Sequence, residues 1–398
     1  MPPRFECSHA SGSGRWHFRI APVEDPAALE PQWLHLQDRA SCSFFQSWAW
    51  VGTWLRCLPP HLSPLLFEVR HEDRLVALAL LGRHRRRRHG VLVSNGLFLS
   101  ESGDPRYDCL TVEHNGLLVE RASRDVVMAE AMRGLASLGL AWDELFLGGI
   151  AGEDVQPYLL GAQRCGIVPL VKVRKPYHFV DCAAVRESGR DYLDALSSNT
   201  RYQIRRAMRS YLERGALQVQ VAQTLDEAQA CFSKLSVLHQ QYWLSRGQRG
   251  AFANEFASDF HRNLIASRFR HGEIQLVEIR AGASPIGYLY NFAFGGVVSN
   301  YQSGFAYEKD ARLKPGLVSH CCAIQHSVAD GARIYDLLMG EQRYKQSLAT
   351  HHGEMAWLVL QKPRLRFRIE RLAARCRTQL SSIAQRPAQP DAAMGVEQ

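Results

Sequence analysis

A basic turn followed by the start of a helix is the feature of this sequence best suited to chemistry. The segment ARLKPGLVSHCC, residues 311–322, places Arg312 and Lys314 directly before a Pro-Gly pair and an apolar run. The first N–H groups of a helix lack partners and its dipole is positive there, so such a turn can bind a phosphate. The pattern also fits a solvated turn with basic neighbours. The choice depends on the elements around it.

Two other basic segments could contact polyanions. RHRRRRHG, residues 83–90, falls between two strand-like runs, where a hairpin tip would leave it in water. No aromatic residue interleaves with it, so it offers no stacking surface for bases. RYQIRRAMR, residues 201–209, instead forms one arginine stripe on a predicted helix. A solvated turn and a phosphate-rich partner both remain open for 83–90, and solvated and substrate-binding roles remain open for 201–209.

Composition excludes several classes of protein. The chain has 398 residues, 46% hydrophobic and 22% charged, with a net charge of +9, as expected of a globular protein large enough for two domains. Its Cys residues form no C-x-x-C pair, and no His or Cys cluster has zinc spacing, so we expect no metal. The first residues lack a signal-peptide core, and no run reaches transmembrane length. We therefore expect a cytoplasmic protein without a transmembrane segment.

The elements that must position these residues follow one order twice. Each half is predicted to run strand, two helices, three strands, helix, strand, helix and strand. In the second half the basic turn lies between the fourth strand and the helix that opens at Gly316. The predicted divisions are a disordered tail over 1–15, an N-terminal domain over 16–180, a linker and basic helix over 181–215, a C-terminal domain over 216–362, and a basic helix with a disordered tail over 363–398.

This order resembles the GNAT acyltransferase fold, and its duplication resembles Fem-type ligases and the CelD/BcsL-type acetyltransferase family. The matching segments are SNTRYQIRRAMR (198–209), HQQYWLSRGQRGAF (239–252), SGF with a basic residue and PG (303–316), YDLLMG (335–340) and YK (344–345). RYDCL (106–110) and WDELFL (142–147) match more loosely. The resemblance implies an α/β tandem GNAT fold, with two mixed-sheet α/β domains.

In GNAT enzymes acyl-CoA binds where the fourth and fifth strands diverge, with its pyrophosphate on the following helix. The resemblance therefore implies that the second half binds acetyl-CoA or another acyl-CoA, while the first half is a scaffold. The turn departs from the usual GNAT loop, since it has one glycine and its proline removes a donor. The implied cofactor-binding residues are Gln302, Arg312, Lys314, Gly316, Leu317 and Val318.

Acyl transfer from a thioester to an amine needs a base, a donor to the developing oxyanion and a proton for the leaving thiolate. The resemblance implies Tyr344 as the acid for the thiolate, and Lys345 matches a lysine of Fem-type proteins. Tyr301 lies on the fourth strand near the divergence. Asp336, on the fifth, could be the base, orient the base or only pair with an arginine. A Tyr-Lys pair at a helix start also fits a surface anchor.

The acceptor side is implied to involve His239, Trp243 and Phe252, together with Arg201 and Arg205. Each ring residue also fits plain core packing. The implied function is acetyl-CoA-dependent N-acyltransfer to an amino sugar or a cell-envelope or exopolysaccharide precursor, with exopolysaccharide or cellulose biosynthesis machinery as the expected partner. The alternatives are a Fem-type transferase that draws on aminoacyl-tRNA, and a degenerate acyltransferase that serves as an assembly partner in polysaccharide biosynthesis.

Overall fold

The computed structural model describes residues 4–11, 14–88 and 92–372. Up to residue 181, the described residues form eight strands and four α-helices. The strands are β1 (Phe5–Ser11), β2 (Gly14–Pro22), β3 (Leu65–His71), β4 (Arg74–Arg88), β5 (Leu92–Leu99), β6 (Leu118–Val119), β7 (Glu144–Ala151) and β8 (Val168–Asp181). The helices are α1 (Pro26–Gln37), α2 (Trp48–Cys57), α3 (Arg124–Ser137) and α4 (Gly152–Arg164).

The second half repeats this order after a linker. Its helices are α5 (Cys182–Glu187), α6 (Ser198–Leu212), α7 (Leu225–Leu244), α8 (Glu255–Arg268), α9 (Pro315–Ala329) and α10 (Arg343–Leu348). Its strands are β9 (Leu217–Val221), β10 (Ile274–Ala281), β11 (Ser284–Phe294), β12 (Val297–Phe305), β13 (Ile334–Met339) and β14 (His351–Gln361). The Thr224 side chain caps the start of α7, because it accepts the Glu227 N–H at 3.2 Å.

All these strands join one sheet in which the halves exchange their last strands. The order is β1-β2-β3-β4-β5-β7-β14-β8-β13-β12-β11-β10-β9, with β6 beside β4. Thus β8 of the first half pairs with β13, β14 of the second half pairs with β7, and β8 and β14 pair with each other. A boundary near residue 180 therefore divides the chain without dividing the sheet.

The aromatic residues around α2 form a core shared by the two halves. Phe44 stacks on Phe292 of β11, with ring centroids 4.1 Å apart. Trp50 meets Phe260 of α8 edge-on at 4.7 Å. All four side chains are buried. The concentration of rings in residues 44–58 is thus explained by contact between halves, which holds the segments of the first half against the second.

The N-terminal and Arg-rich segments differ from their predictions. Residues 5–11 form β1 instead of a disordered tail, because all of them pair with residues 14–20 of β2. Residues 83–88 continue β4 and pair with β5, so they are not a hairpin tip. Arg88 binds the buried Glu144. Helix is present over residues 365–372, whereas residues 1–3, 12–13, 89–91 and the tail predicted over 373–398 lie outside the described residues.

Candidate functional site

Strands β12 and β13 diverge after three paired residues. Their parallel pairing ends at Ser299 and Asp336. On β12, Tyr301 is the extra residue of a β-bulge, since its two neighbours pair with consecutive residues of β11. On β13, Leu338 has a left-handed φ of 60°, and the Asp336 carboxylate accepts its N–H at 2.7 Å. Because a bulge bends its strand, the two strands leave a gap.

The gap opens onto a cavity of about 750 Å³ at the start of α9, which we call the α9 cavity. Its walls come from the end of α7, the diverging end of β12, the loop 307–314, the first turn of α9 and the residues after β13. Most of the residues singled out from the sequence lie on these walls. They are His239, Trp243, Tyr301, Gln302, Lys314, Gly316, Leu317, Tyr344 and Lys345.

The first turn of α9 has two backbone donors without an acceptor inside the helix. No described side chain caps this helix, and a proline is its first residue. The Val318 N–H already bonds to the Lys314 carbonyl at 3.0 Å, which leaves the amides of Gly316 and Leu317. Val318 itself is fully buried, so it does not reach the cavity. A Cβ on Gly316 would lie 3.3 Å from the Phe305 ring, so a side chain there would crowd that ring. The turn can therefore bind an anion through two amides.

Three of the arginines singled out from the sequence do not line the α9 cavity and form ion pairs. The Arg312 guanidinium pairs with Asp310 at 2.8 Å and lowers the pKa of that carboxyl to about 2. Arg201 and Arg205, on α6, both approach Asp194, at 3.4 and 3.6 Å. Their predicted roles stay predictions.

His239 and Phe252 are held by packing and hydrogen bonds. The His239 ring accepts the Ala251 N–H at 3.2 Å, and its other nitrogen lies 3.1 Å from the Ser303 carbonyl. Burial lowers the pKa of His239, so this ring is neutral. Phe252 meets the His239 ring edge-on at 5.2 Å and does not line the cavity. The geometry gives His239 a structural place at the cavity wall.

Tyr344 and Lys345 lie at the start of α10, beside the end of β13. The Tyr344 ring stacks on His320 of α9, with centroids 5.3 Å apart, and burial raises the pKa of the Tyr344 hydroxyl. The Lys345 ammonium donates to the Met339 carbonyl at 2.7 Å, and burial lowers its pKa. The phenol is thus a protonated donor at the cavity, while the lysine fixes the chain after β13.

Residues 111–115 of the first half reach the same site, and the sequence analysis missed them. The Asn115 side-chain amide donates to the Leu99 carbonyl on β5 at 3.2 Å and to the Gly148 carbonyl on β7 at 3.0 Å. It does so beyond the last paired residues of those strands. In the first half, Asn115 therefore bridges β5 and β7 where their pairing ends. Residues 111–114, just before it, extend to the gap between β12 and β13 of the second half.

Glu113 lines the α9 cavity, and its neighbour His114 lines a second one. The Glu113 carboxylate accepts the Met339 N–H at 2.6 Å, and burial raises the pKa of Glu113 to about 7. His114 Nε2 lies 2.8 Å from the Asp336 carboxylate. Burial opposes the charged ring, but the bond to Asp336 outweighs it and raises the pKa of His114. The sequence signal was an adjacent Glu and His after the fourth strand of the first half.

The second cavity, which we call the His114 cavity, has a volume of about 900 Å³. Its walls include the paired part of β12 and β13, with Asp336, and the loop between α1 and α2. Tyr177 and Phe179 of β8 contribute ring surface, and Glu153 and Arg333 contribute opposite charges. Asp336, singled out on β13, therefore lies in this cavity and positions a histidine.

The described parts of the chain contain neither a cluster of metal ligands nor a helix that could span a membrane. Within residues 4–11, 14–88 and 92–372, no group of three His, Cys, Asp or Glu side chains is placed to hold a metal ion. No helix of those residues is both long and apolar enough to cross a membrane. The ionisable residues that the structure brings together at the gap are Glu113, His114, Asp336, Tyr344 and Lys345.

Comparison with known proteins supports the fold. Residues 198–346 match the family model of the acetyltransferase (GNAT) domain, and no curated protein matches the chain. The structure of FemX is similar over 85% of this chain and 96% of its own, at 8% identity and a TM-score of 0.55. L-PGS from Bacillus licheniformis is similar over 85% of this chain and 93% of its own, at 12% identity and a TM-score of 0.50. A tandem GNAT protein from the clavulanic acid biosynthesis pathway aligns at 14% identity and a TM-score of 0.45, over 87% and 99%. The chain thus has a tandem GNAT fold, and its second half carries the GNAT acetyltransferase domain.

Proposed function

We propose that the protein is an acyl-CoA-dependent N-acyltransferase whose α9 cavity binds the acyl-CoA. The observation that carries the proposal is the uncapped first turn of α9, which meets a cavity between two diverging strands. The Gly316 and Leu317 amides would bind the pyrophosphate, and Lys314 would add the opposite charge. The thioester would then lie in the gap, beside Tyr301 and Tyr344.

The two tyrosines would do different work in the reaction. The Tyr301 hydroxyl accepts the Thr111 N–H at 3.2 Å, so its own proton remains available to the thioester oxygen. Tyr344 would give a proton to the leaving thiolate. Preorganised donors of this kind stabilise charge that develops in the transition state. Lys345 and Glu113 would hold the backbone at Met339 from opposite sides and keep the end of β13 in place.

Acetyl-CoA is the proposed donor, and an amino sugar or a cell-envelope or exopolysaccharide precursor is the proposed acceptor. The His114 cavity supports this choice because ring side chains such as Tyr177 and Phe179 can stack on a sugar, while Glu153 can pair with its ammonium. A place among CelD/BcsL-type acetyltransferases and a link to polysaccharide biosynthesis machinery belong to the same proposal. They rest on the sequence resemblance.

Calorimetric titration with acetyl-CoA tests the donor site. We expect the wild type to bind and Gly316→Glu to lose binding, because the new carboxylate would occupy the anion position and repel phosphate. Ala283→Glu is the matched control, since it adds the same charge at an exposed residue of the turn between β10 and β11 that lines neither cavity. The proposal fails if Gly316→Glu binds acetyl-CoA as tightly as the control does.

The same titration with tRNA tests the alternative donor. Transfer from aminoacyl-tRNA would require many phosphate contacts and hence binding that falls steeply with salt. The exposed Arg205, Arg206 and Arg209 of α6 are the surface for such contacts. We expect acetyl-CoA to bind. We expect no tRNA binding that weakens with salt and depends on these arginines. Tight tRNA binding without acetyl-CoA binding would favour the aminoacyl-tRNA function.

A further inference from the structure

His114 is held in one position by contacts from both halves of the chain. Its backbone has a left-handed φ of 46°, a conformation that is unfavourable for a non-glycine residue. The Ser43 hydroxyl donates to the His114 carbonyl at 2.8 Å. The next residue, Asn115, donates its backbone N–H to the Gly149 carbonyl at 2.9 Å and also bridges β5 and β7. Strain kept by so many bonds is common at functional sites.

The imidazole is oriented by a carboxylate that is itself fixed. One oxygen of Asp336 accepts the Leu338 N–H at 2.7 Å, and the other lies 2.8 Å from His114 Nε2. Tyr177 packs edge-on against the ring, with centroids 4.7 Å apart. No described residue hydrogen-bonds to His114 Nδ1, and the ring lines the His114 cavity. A histidine whose one nitrogen is bound to a carboxylate presents its other nitrogen as a base.

The position of this pair connects it to the gap. Asp336 and Ser299 are the last paired residues of β13 and β12, so His114 lies at the point where the two strands begin to diverge. Glu113, the preceding residue, lines the α9 cavity. The side chains of two adjacent residues of the first half, Glu113 and His114, therefore reach the α9 cavity and the His114 cavity respectively.

We infer that the His114 cavity binds the amine acceptor and that His114 is the base that removes its proton, with Asp336 as a positioning residue. This inference rests on the proposed function. The ammonium gives one proton to His114 Nδ1, which passes it to water. The amine nitrogen then bonds to the thioester carbon and the C–S bond breaks. The thiolate takes a proton from the Tyr344 hydroxyl. The nitrogen loses its second proton, and this proton restores the Tyr344 hydroxyl.

The pH dependence follows from the charged groups that face the ring. These are Asp336 of β13, Glu113 on its own segment and Glu153 of α4, each of which favours the protonated ring. The Tyr177 phenol of β8 packs against it and stays neutral, because burial raises its pKa to about 12. Only the neutral ring can accept a proton, so activity should rise with pH through the raised pKa of His114.

The test uses the full chain with acetyl-CoA as donor and glucosamine as the amine probe, and follows release of the CoA thiol from pH 5.5 to 9. Hydrolysis without glucosamine is measured too, since water in the cavity would be activated by the same base. The variant is His114→Asn, because asparagine tolerates a left-handed φ and carries no group that can act as a base. Asp336→Asn tests positioning, and His35→Asn, at an exposed histidine of α1, is the control.

We expect His114→Asn to lower turnover about 10²–10⁴-fold, with an unchanged acetyl-CoA dissociation constant and no low-pH limb. Asp336→Asn should move that limb to lower pH, which a purely structural change would not do. The inference is overturned if His114→Asn keeps the wild-type rate and pH profile, or if the wild type binds acetyl-CoA but never releases thiol above buffer. If the wild type does not bind acetyl-CoA, the proposed function fails, and the inference fails with it.

Discussion

At the scale of single residues, burial at the gap keeps two phenols protonated and raises the pKa of one carboxyl into the neutral range. Burial raises the pKa of both Tyr301 and Tyr344, so each is a donor across the physiological range. Burial also raises the pKa of Glu113 to about 7. Groups with shifted pKa values cluster at functional sites more often than elsewhere. Here they gather on the diverging end of β12, at the start of α10 and on one segment of the other half.

Tyr344→Phe is the residue-scale test of thiolate protonation. The ring and its stacking on His320 remain, while the proton is lost, so turnover with acetyl-CoA should fall about 10²–10³-fold, as for other lost preorganised donors. The acetyl-CoA dissociation constant should stay the same. Tyr202→Phe, at an exposed tyrosine of α6, is the control. Wild-type turnover in the Tyr344 variant would assign the phenol a packing role only.

At the scale of elements, the segment between β5 and β6 has two consequences. It fills the gap of the first half through Asn115, and it presents Glu113 and His114 to the second half. The first half therefore contributes side chains to both cavities, in addition to any scaffold function. A helix start without a side-chain cap follows the fourth strand in the second half, whereas a bridging asparagine follows it in the first.

Asn115→Asp tests this bridge with an almost isosteric change. The new carboxylate oxygen would face the Leu99 and Gly148 carbonyls, so two buried hydrogen bonds become repulsive contacts. We expect the free energy of unfolding to drop by about 2–3 kcal/mol or more, together with lower turnover, as measured by urea denaturation and thiol release. Asn199→Asp, at the exposed first turn of α6, should leave both unchanged. An equally stable and active Asn115 variant would show that the bridge is dispensable.

The order of elements could be predicted from the sequence, while the pairing of distant residues could not. Periodicity and the Pro-Gly turn sufficed for α9, because these signals are local. The His114–Asp336 bond joins residues 222 positions apart, and no local pattern encodes such a contact. The Arg83–Arg88 strand was missed for a related reason, since its pairing with β5 outweighs the polarity that suggested a turn. Arg312 is expected at the phosphate, and this role stays a prediction; its ion pair with Asp310, two residues away, was not predicted.

At the scale of the whole molecule, the two halves share a sheet and an aromatic core. Phe44 and Phe292 stack across the halves, and both are buried among residues of α2, α8 and β11. The exchanged strands β8 and β14 pair along their length. Neither half can lose its structure without exposing apolar surface of the other, which favours one cooperative unfolding transition.

Phe292→Ala measures this coupling. Removing a fully buried phenylalanine should cost about 3–5 kcal/mol, and the loss should shift a single transition followed by circular dichroism and by tryptophan fluorescence. Val237→Ala, at an exposed residue of α7, should shift neither signal. Two separate transitions, of which only one responds to Phe292→Ala, would show that the halves unfold independently.

The strand exchange also determines when the sheet can be completed as the chain is synthesised. A ribosome that has released the first 250 residues has completed the first half, yet both sheet partners of β8 are still unmade. The partners are β13, at residues 334–339, and β14, at residues 351–361. Until they emerge, the nascent chain presents β7 and β8 with open edges that can pair with other chains. Transient chaperone binding to β7 and β8 would protect these edges until β14 is synthesised and inserts between them.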